Sequence, residues 1–195
     1  MRPRSFSDEE LLDTAKRMFL ESGPGLSTSR IAEALGVSQA ALFKRFSTKK
    51  ELMFRALAPK VLPGWIERVA EGPDERPVPD QLRNIVQDMD DFFKSMMPAL
   101  SVLKASGVAL ENMLKRFPGG PPPVRAHEAL TAFFTTLHEQ GRAHVPQPRA
   151  TALVFMGAVS SRHNLCHMLG DQAPDIGENY SDHMVEFIWA GMKPD

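Results

Sequence analysis

Apolar residues fall three and four apart over most of this chain, and strand-like alternation is nowhere sustained, so the pattern predicts an all-α fold. Ser7-Asp8-Glu9-Glu10, a Ser-x-x-Glu capping box, announces the first helix; Leu11, Leu12, Ala15, Met18 and Phe19 carry it, and Ser22-Gly23-Pro24 stops it. Two short helices follow through Gly36-Val37-Ser38, with Ile31, Ala32 and Leu35 on the inner face of one and Leu42 and Phe46 on that of the other. A second capping box, Thr48-Lys49-Lys50-Glu51, opens a fourth helix, which Pro59 and Pro63-Gly64 kink or break, because an interior proline removes a hydrogen bond and collides with the preceding turn. A loop rich in proline and charge at 71–79 precedes a stripe of Leu82, Ile85, Val86, Met89, Phe92, Phe93 and Met96 that is predicted to end at Pro98. A less regular helical segment is expected over about 99–116, broken by PGGPPP at 118–123, and three more helices over roughly 124–140, 148–169 and 179–191.

The pair of short helices is the segment whose pattern points to chemistry. Ala32 is small enough for close helix approach, Gly36 suits the left-handed backbone of a tight turn, Val37 plugs the angle, and Ser38 caps the second helix, whose N-terminal N–H groups then face a phosphate. That arrangement reads as a helix-turn-helix, with a helical corner in a bundle as the alternative. The second helix would leave Gln39, Ala40, Ala41, Phe43, Lys44 and Arg45 outward, short enough for a major groove about 12 Å wide. A glutamine carboxamide pairs with adenine N6 and N7, so Gln39 is the candidate base reader; Ala40 or Ala41 could touch a thymine methyl. Lys44, Arg45 and Lys49 are assigned to phosphates, and Thr28 and Ser29 to the opposite groove wall; a solvated cationic face, including Lys50, is the plainer alternative. Arg2 and Arg4 read as either a minor-groove arm or a frayed terminus.

Charge supports the division. The net charge is −1, but residues 1–55 hold ten Lys/Arg against seven Asp/Glu, while the rest holds thirteen against seventeen: a basic head on an acidic body. With 43% hydrophobic and 24% charged residues among 195, composition is that of a globular protein able to bury a core. One cysteine, Cys166, cannot form a disulfide within the chain, and no leader or apolar stretch beyond about ten residues suggests export or membrane spanning, so a reducing cytoplasm is expected. Met89, Phe92, Phe93, Met96, Met113, Phe117, Phe133, Phe134 and Met156 could line a pocket for a small apolar effector or simply form core. His163 and His167 stand four apart beside Cys166, a spacing a metal could use, but no third ligand is near, and Gly157, Ala158, Ser160 and Ser161 on the same helix favour close packing against a partner helix. Both histidines therefore read as polar lining of the pocket or of a dimer seam, with neither metal nor cofactor called for.

Ile31-Ala32, Gly36-Val37-Ser38, Leu42-Phe43, Phe46 and Lys49-Lys50-Glu51-Leu52 together resemble the N-terminal domain of TetR/AcrR-family transcriptional regulators, over about residues 7–54. One departure is Phe43, where the family usually has a tyrosine whose hydroxyl reaches a phosphate. The resemblance implies a DNA-binding domain at 1–50 and an effector-binding and dimerisation domain at 51–195. It also implies that the last two helices pair with their copies, giving a homodimer on a palindromic double-stranded operator with heads about 34 Å apart. A repressor without enzymatic activity is the expected function; the rivals are a helical-bundle metal-dependent enzyme using His163 and His167, and a coactivator of the same fold that contacts protein instead of DNA.

Overall fold

The structure, a computed structural model, describes residues 7–58, 62–109, 111, 114, 115, 117 and 119–194. Among these the chain is all-helical, with no strand, as the apolar spacing predicted. It forms two compact units, Met1–Lys60 with Pro98–Asn112 and Val61–Met97 with Met113–Asp195. Arg2, Arg4, Pro59 and Met113 lie outside the described residues.

In the first unit, α1 (Asp8–Ser22) is followed by three short helices, α2 (Thr28–Ala34), α3 (Gln39–Phe43) and α4 (Lys49–Leu57). α1 packs on α2 and α4, and α2 on α3. Leu11, Phe19, Ile31, Leu42, Phe46, Leu52 and Met53 are buried, each worth roughly 1.5–3 kcal/mol over exposure. Helices this short are marginal alone, and all four begin on a hydroxyl that accepts an otherwise orphaned N–H: Ser7 from Glu10, Ser27 from Arg30, Ser38 from Ala41 and Thr48 from Glu51. The second capping box reaches one residue further back, since Glu51 accepts the backbone N–H of Ser47 at 2.9 Å. α4 ends at Leu57, and the next described helix begins at Gly64.

The second unit contains α5 (Gly64–Ala70), most of α6 (Val78–Ala105), α7 (Pro122–Glu139), α8 (Pro148–Leu169) and α9 (Tyr180–Ala190), with a 3₁₀ turn at Gly170–Gln172. α7 packs on α5 and α8, and α9 on α8, around Trp65, Leu82, Met89, Leu130, Phe134, Phe155 and Val185. Two expectations change here. α5 was hidden by Pro63-Gly64, although Trp65, Ile66 and Val69 have helical spacing and are buried. α6 does not end at Pro98 but runs through it to Ala105, absorbing the start of the segment expected at 99–116. An interior proline costs about 3 kcal/mol, and the apolar stripe continues across it with Met97, Ala99 and Leu103 buried, which offsets that cost.

Candidate nucleic-acid interface

Gly36 closes the turn between α2 and α3 with φ 68°, a backbone conformation that favours glycine, and the N–H of Val37 donates to the Ala32 carbonyl at 2.9 Å. This fixes α3, whose buried Leu42 leaves Gln39, Ala40, Phe43, Lys44 and Arg45 exposed; Ala41 is half-buried. Phe43 is 38% exposed, an apolar ring on an otherwise polar face. Ser38 and Ser29 are exposed too, and Ser29 shares a hydrogen bond with the capping Ser27 hydroxyl.

Several of the predicted contact residues already have partners within this unit. Thr28 is buried, 6% exposed, and its hydroxyl oxygen accepts from the Gln39 amide at 2.7 Å, so it faces α3 and not a groove wall. Arg45 pairs with Asp8 at 2.6 Å, holding the end of α3 to the start of α1. Half-buried Lys49 donates to the Pro24 carbonyl at 2.6 Å, and its neighbour Lys50 to the Gly107 carbonyl at 3.1 Å. Lys44, which ends α3, is exposed, while Arg55 lies over the Phe46 ring, 5.5 Å from its centroid.

The candidate effector residues occupy the second unit in different ways. Met89, Phe133 and Phe134 are buried core, with Phe134 edge-on to both Phe133 and Phe155 at 5.7 Å. Phe92, Phe93 and Met156 are half-buried against that core, and Met96 and Phe117 are half-buried as well. A groove of about 520 Å³ in this unit takes only Phe133 from the set; Arg68, Glu71, Asp74, Arg76 and Asp88 bring charge to a lining that also holds Val69, Pro73 and Ile85. Its rim loop is fixed by buried Gln81, which accepts the Asp74 N–H and donates to the Asp74 and Arg76 carbonyls, and by Arg142, which donates to the same two carbonyls. Hydrogen bonds from the Arg76 side chain and backbone lower the Asp74 pKa.

The two histidines part company. His163 is 8% exposed and its Nε2 lies 2.6 Å from Asp90, whereas His167, one turn further along α8, is exposed. No group of three possible metal ligands exists among the described residues. Ser181 donates to the other Asp90 oxygen at 2.8 Å, and Arg162 stands 3.9 Å from it, so one buried carboxylate gathers residues from α8 and α9. This is not a nucleophilic relay: the hydroxyl bonds the carboxylate directly and has no imidazole base. Sequence reasoning passed over Asp90, though an acid on the Val86–Phe93 apolar stripe was the available signal. It also passed over Trp65, whose buried indole N–H has no hydrogen-bond partner among the described residues.

Residues 11–56 match the family described as bacterial regulatory proteins, tetR family. No curated protein is significantly similar to the chain in sequence. Among solved structures, a protein from Mesorhizobium loti described as a TetR-family transcriptional regulator is 15% identical, covering 95% of this chain and 96% of its own, with a TM-score of 0.71. PfmR, a TetR-family transcriptional regulator from Thermus thermophilus, is 23% identical over 93% of this chain and 97% of its own, TM-score 0.66. NalD, the secondary repressor of the MexAB-OprM multidrug efflux pump in Pseudomonas aeruginosa, is 19% identical over 95% and 96%, TM-score 0.60. At these identities the likeness is one of fold. Residues 11–56 thus form a tetR-family helix-turn-helix head, and the helical layout of the rest is the fold that these TetR-family transcriptional regulators have over nearly their whole length.

Proposed function

We propose that the chain acts as a dimeric repressor: residues 1–50 bind a palindromic operator and residues 51–195 bind a small, mostly apolar effector and dimerise, in the cytoplasm. The observation that carries the DNA half is α3, rigidly capped and presenting Gln39, Ala40, Phe43 and Lys44 to solvent from one short helix. Gln39 and Ala40 contact base edges; Lys44 and Ser29 contact phosphates, and Arg45 does so by exchanging Asp8 for the DNA backbone. Lys49 supports the α1–α2 loop from beneath.

Dimerisation through α8 and α9 is supported by Leu153, Val154 and Phe187, which are 64, 65 and 83% exposed, beside the exposed Gly157 and Ser161. A contiguous apolar face on a monomer is a liability that a second copy removes. The half-buried Phe92, Phe93, Met96 and Met156 are the effector wall, and the buried Trp65 N–H offers such a molecule one hydrogen bond. An effector that fits better when the heads are splayed shifts the population away from operator-ready spacing by no more than its differential affinity for the two states.

Footprinting tests this reading. The expected result is a protected inverted repeat with half-sites one helical turn apart. A protein that binds a transcription partner with no protected DNA would favour the coactivator reading and contradict this one.

A further inference from the structure

We infer that Thr28 is a positioning residue for Gln39, turning its carboxamide so that the oxygen faces the groove and the head selects a base carrying an exocyclic amine, adenine or cytosine. The inference rests on the proposal that α3 reads operator DNA. Thr28 is the first residue of α2 and buried, and its β-branched side chain has few rotamers open to it, so its hydroxyl has little room to turn. Capping of α2 falls to Ser27, which leaves the Thr28 oxygen to accept from Gln39 Nε2 at 2.7 Å across eleven residues of sequence. Gln39 is itself exposed and is the first residue of α3, where a reading side chain meets the base edges.

A glutamine in water rotates freely and offers an oxygen or an amide nitrogen with equal ease. Here one end is tethered. With one of the two Nε2 hydrogens donated to Thr28, the carboxamide keeps Oε1 and a single N–H to offer, and the major-groove donors that Oε1 can meet are adenine N6 and cytosine N4. Guanine presents only acceptors there and thymine an acceptor and a methyl, so both leave Oε1 without a donor. The order also precedes binding: a side chain with three rotatable bonds is fixed by a residue that need not touch DNA at all.

The test is selection of binding sites from a randomised duplex library by the full chain, by Gln39→Ala and by Thr28→Val, with thermal unfolding of each recorded. The base pair whose preference collapses in Gln39→Ala defines the Gln39 position. Wild type is expected to favour adenine or cytosine there by roughly tenfold, in the range of one good base contact. Thr28→Val, close to isosteric, is expected to cut that preference to about threefold at this base pair alone, leaving other positions and the melting temperature close to wild type; a purely structural role would weaken every position together. Selection of guanine or thymine, or a preference indifferent to Thr28→Val, overturns the inference while leaving the operator reading standing. Absence of any salt-dependent DNA binding by wild type overturns both.

Discussion

The helices of the two units start in different ways. In the first, every described helix begins on a serine or threonine whose side chain accepts a backbone N–H. In the second, α5, α7, α8 and α9 begin at Pro63, Pro121, Gln147 and Asn179 with no side-chain cap. Length accounts for part of the difference, although α1 is capped at 15 residues and α5 is not at 7. Helices of 7, 5 and 9 residues gain little from propagation and depend on their ends, whereas α7 and α8, with 18 and 22 residues, draw their stability from a buried face. The first unit is thus specified position by position, as a surface that must fit a fixed polymer requires. The second is specified chiefly by pattern, with the buried Asp90 hub as an exception.

Four measurements break or sharpen that contrast, from the largest expected effect downward. Asp90→Ala strands His163 and Ser181 inside the second unit, and chemical denaturation is expected to show a loss of about 3 kcal/mol. A loss below about 1 kcal/mol would mean the buried hub contributes little. Ser38→Ala is expected to cost about 1 kcal/mol and to weaken DNA binding by fraying α3, while Asn179→Ala in the second unit stays within about 0.5 kcal/mol of wild type. Equal losses at the two sites would erase the distinction between capped and uncapped starts. Phe43→Tyr restores a hydroxyl at an exposed position of the reading helix and is expected to tighten operator affinity by about fivefold, equivalent to one hydrogen bond of about 1 kcal/mol. Unchanged or weaker binding in a titration would remove this ring from the DNA backbone. The smallest effect concerns pH: the folded-state pKa of Asp74 is depressed by Arg76, so its contribution is complete at neutral pH and is lost only as pH falls below the ordinary aspartate value of about 3.9. In Asp74→Asn, stability profiles should match wild type in shape above that value and diverge below it.

The same contrast explains what the sequence could show. Gly36, Val37, Ser38 and the Leu42–Phe46 pair each have one geometric role, so the helix-turn-helix was legible from residue types alone. The inward turn of Thr28 was not, because a threonine at a helix start reads equally well as a groove-wall donor, and only the distance to Gln39 separates the two. In the second unit helical spacing located α8 to the residue, yet Pro98 misled, because propensity is local and the burial that overrides it is not. Spacing also placed His163 and His167 on one face; the packing that buries one and exposes the other depends on where neighbouring helices end.

The central claim is that the exposed face of α3 meets double-stranded DNA through cations as well as base edges. Its most direct test is the salt dependence of binding to the footprinted duplex, measured by fluorescence anisotropy for wild type and Lys44→Ala. Log affinity is predicted to fall linearly with log salt, and the variant to flatten the slope by about one unit for each head bound. Affinity that ignores salt, or a slope identical in Lys44→Ala, would contradict the account.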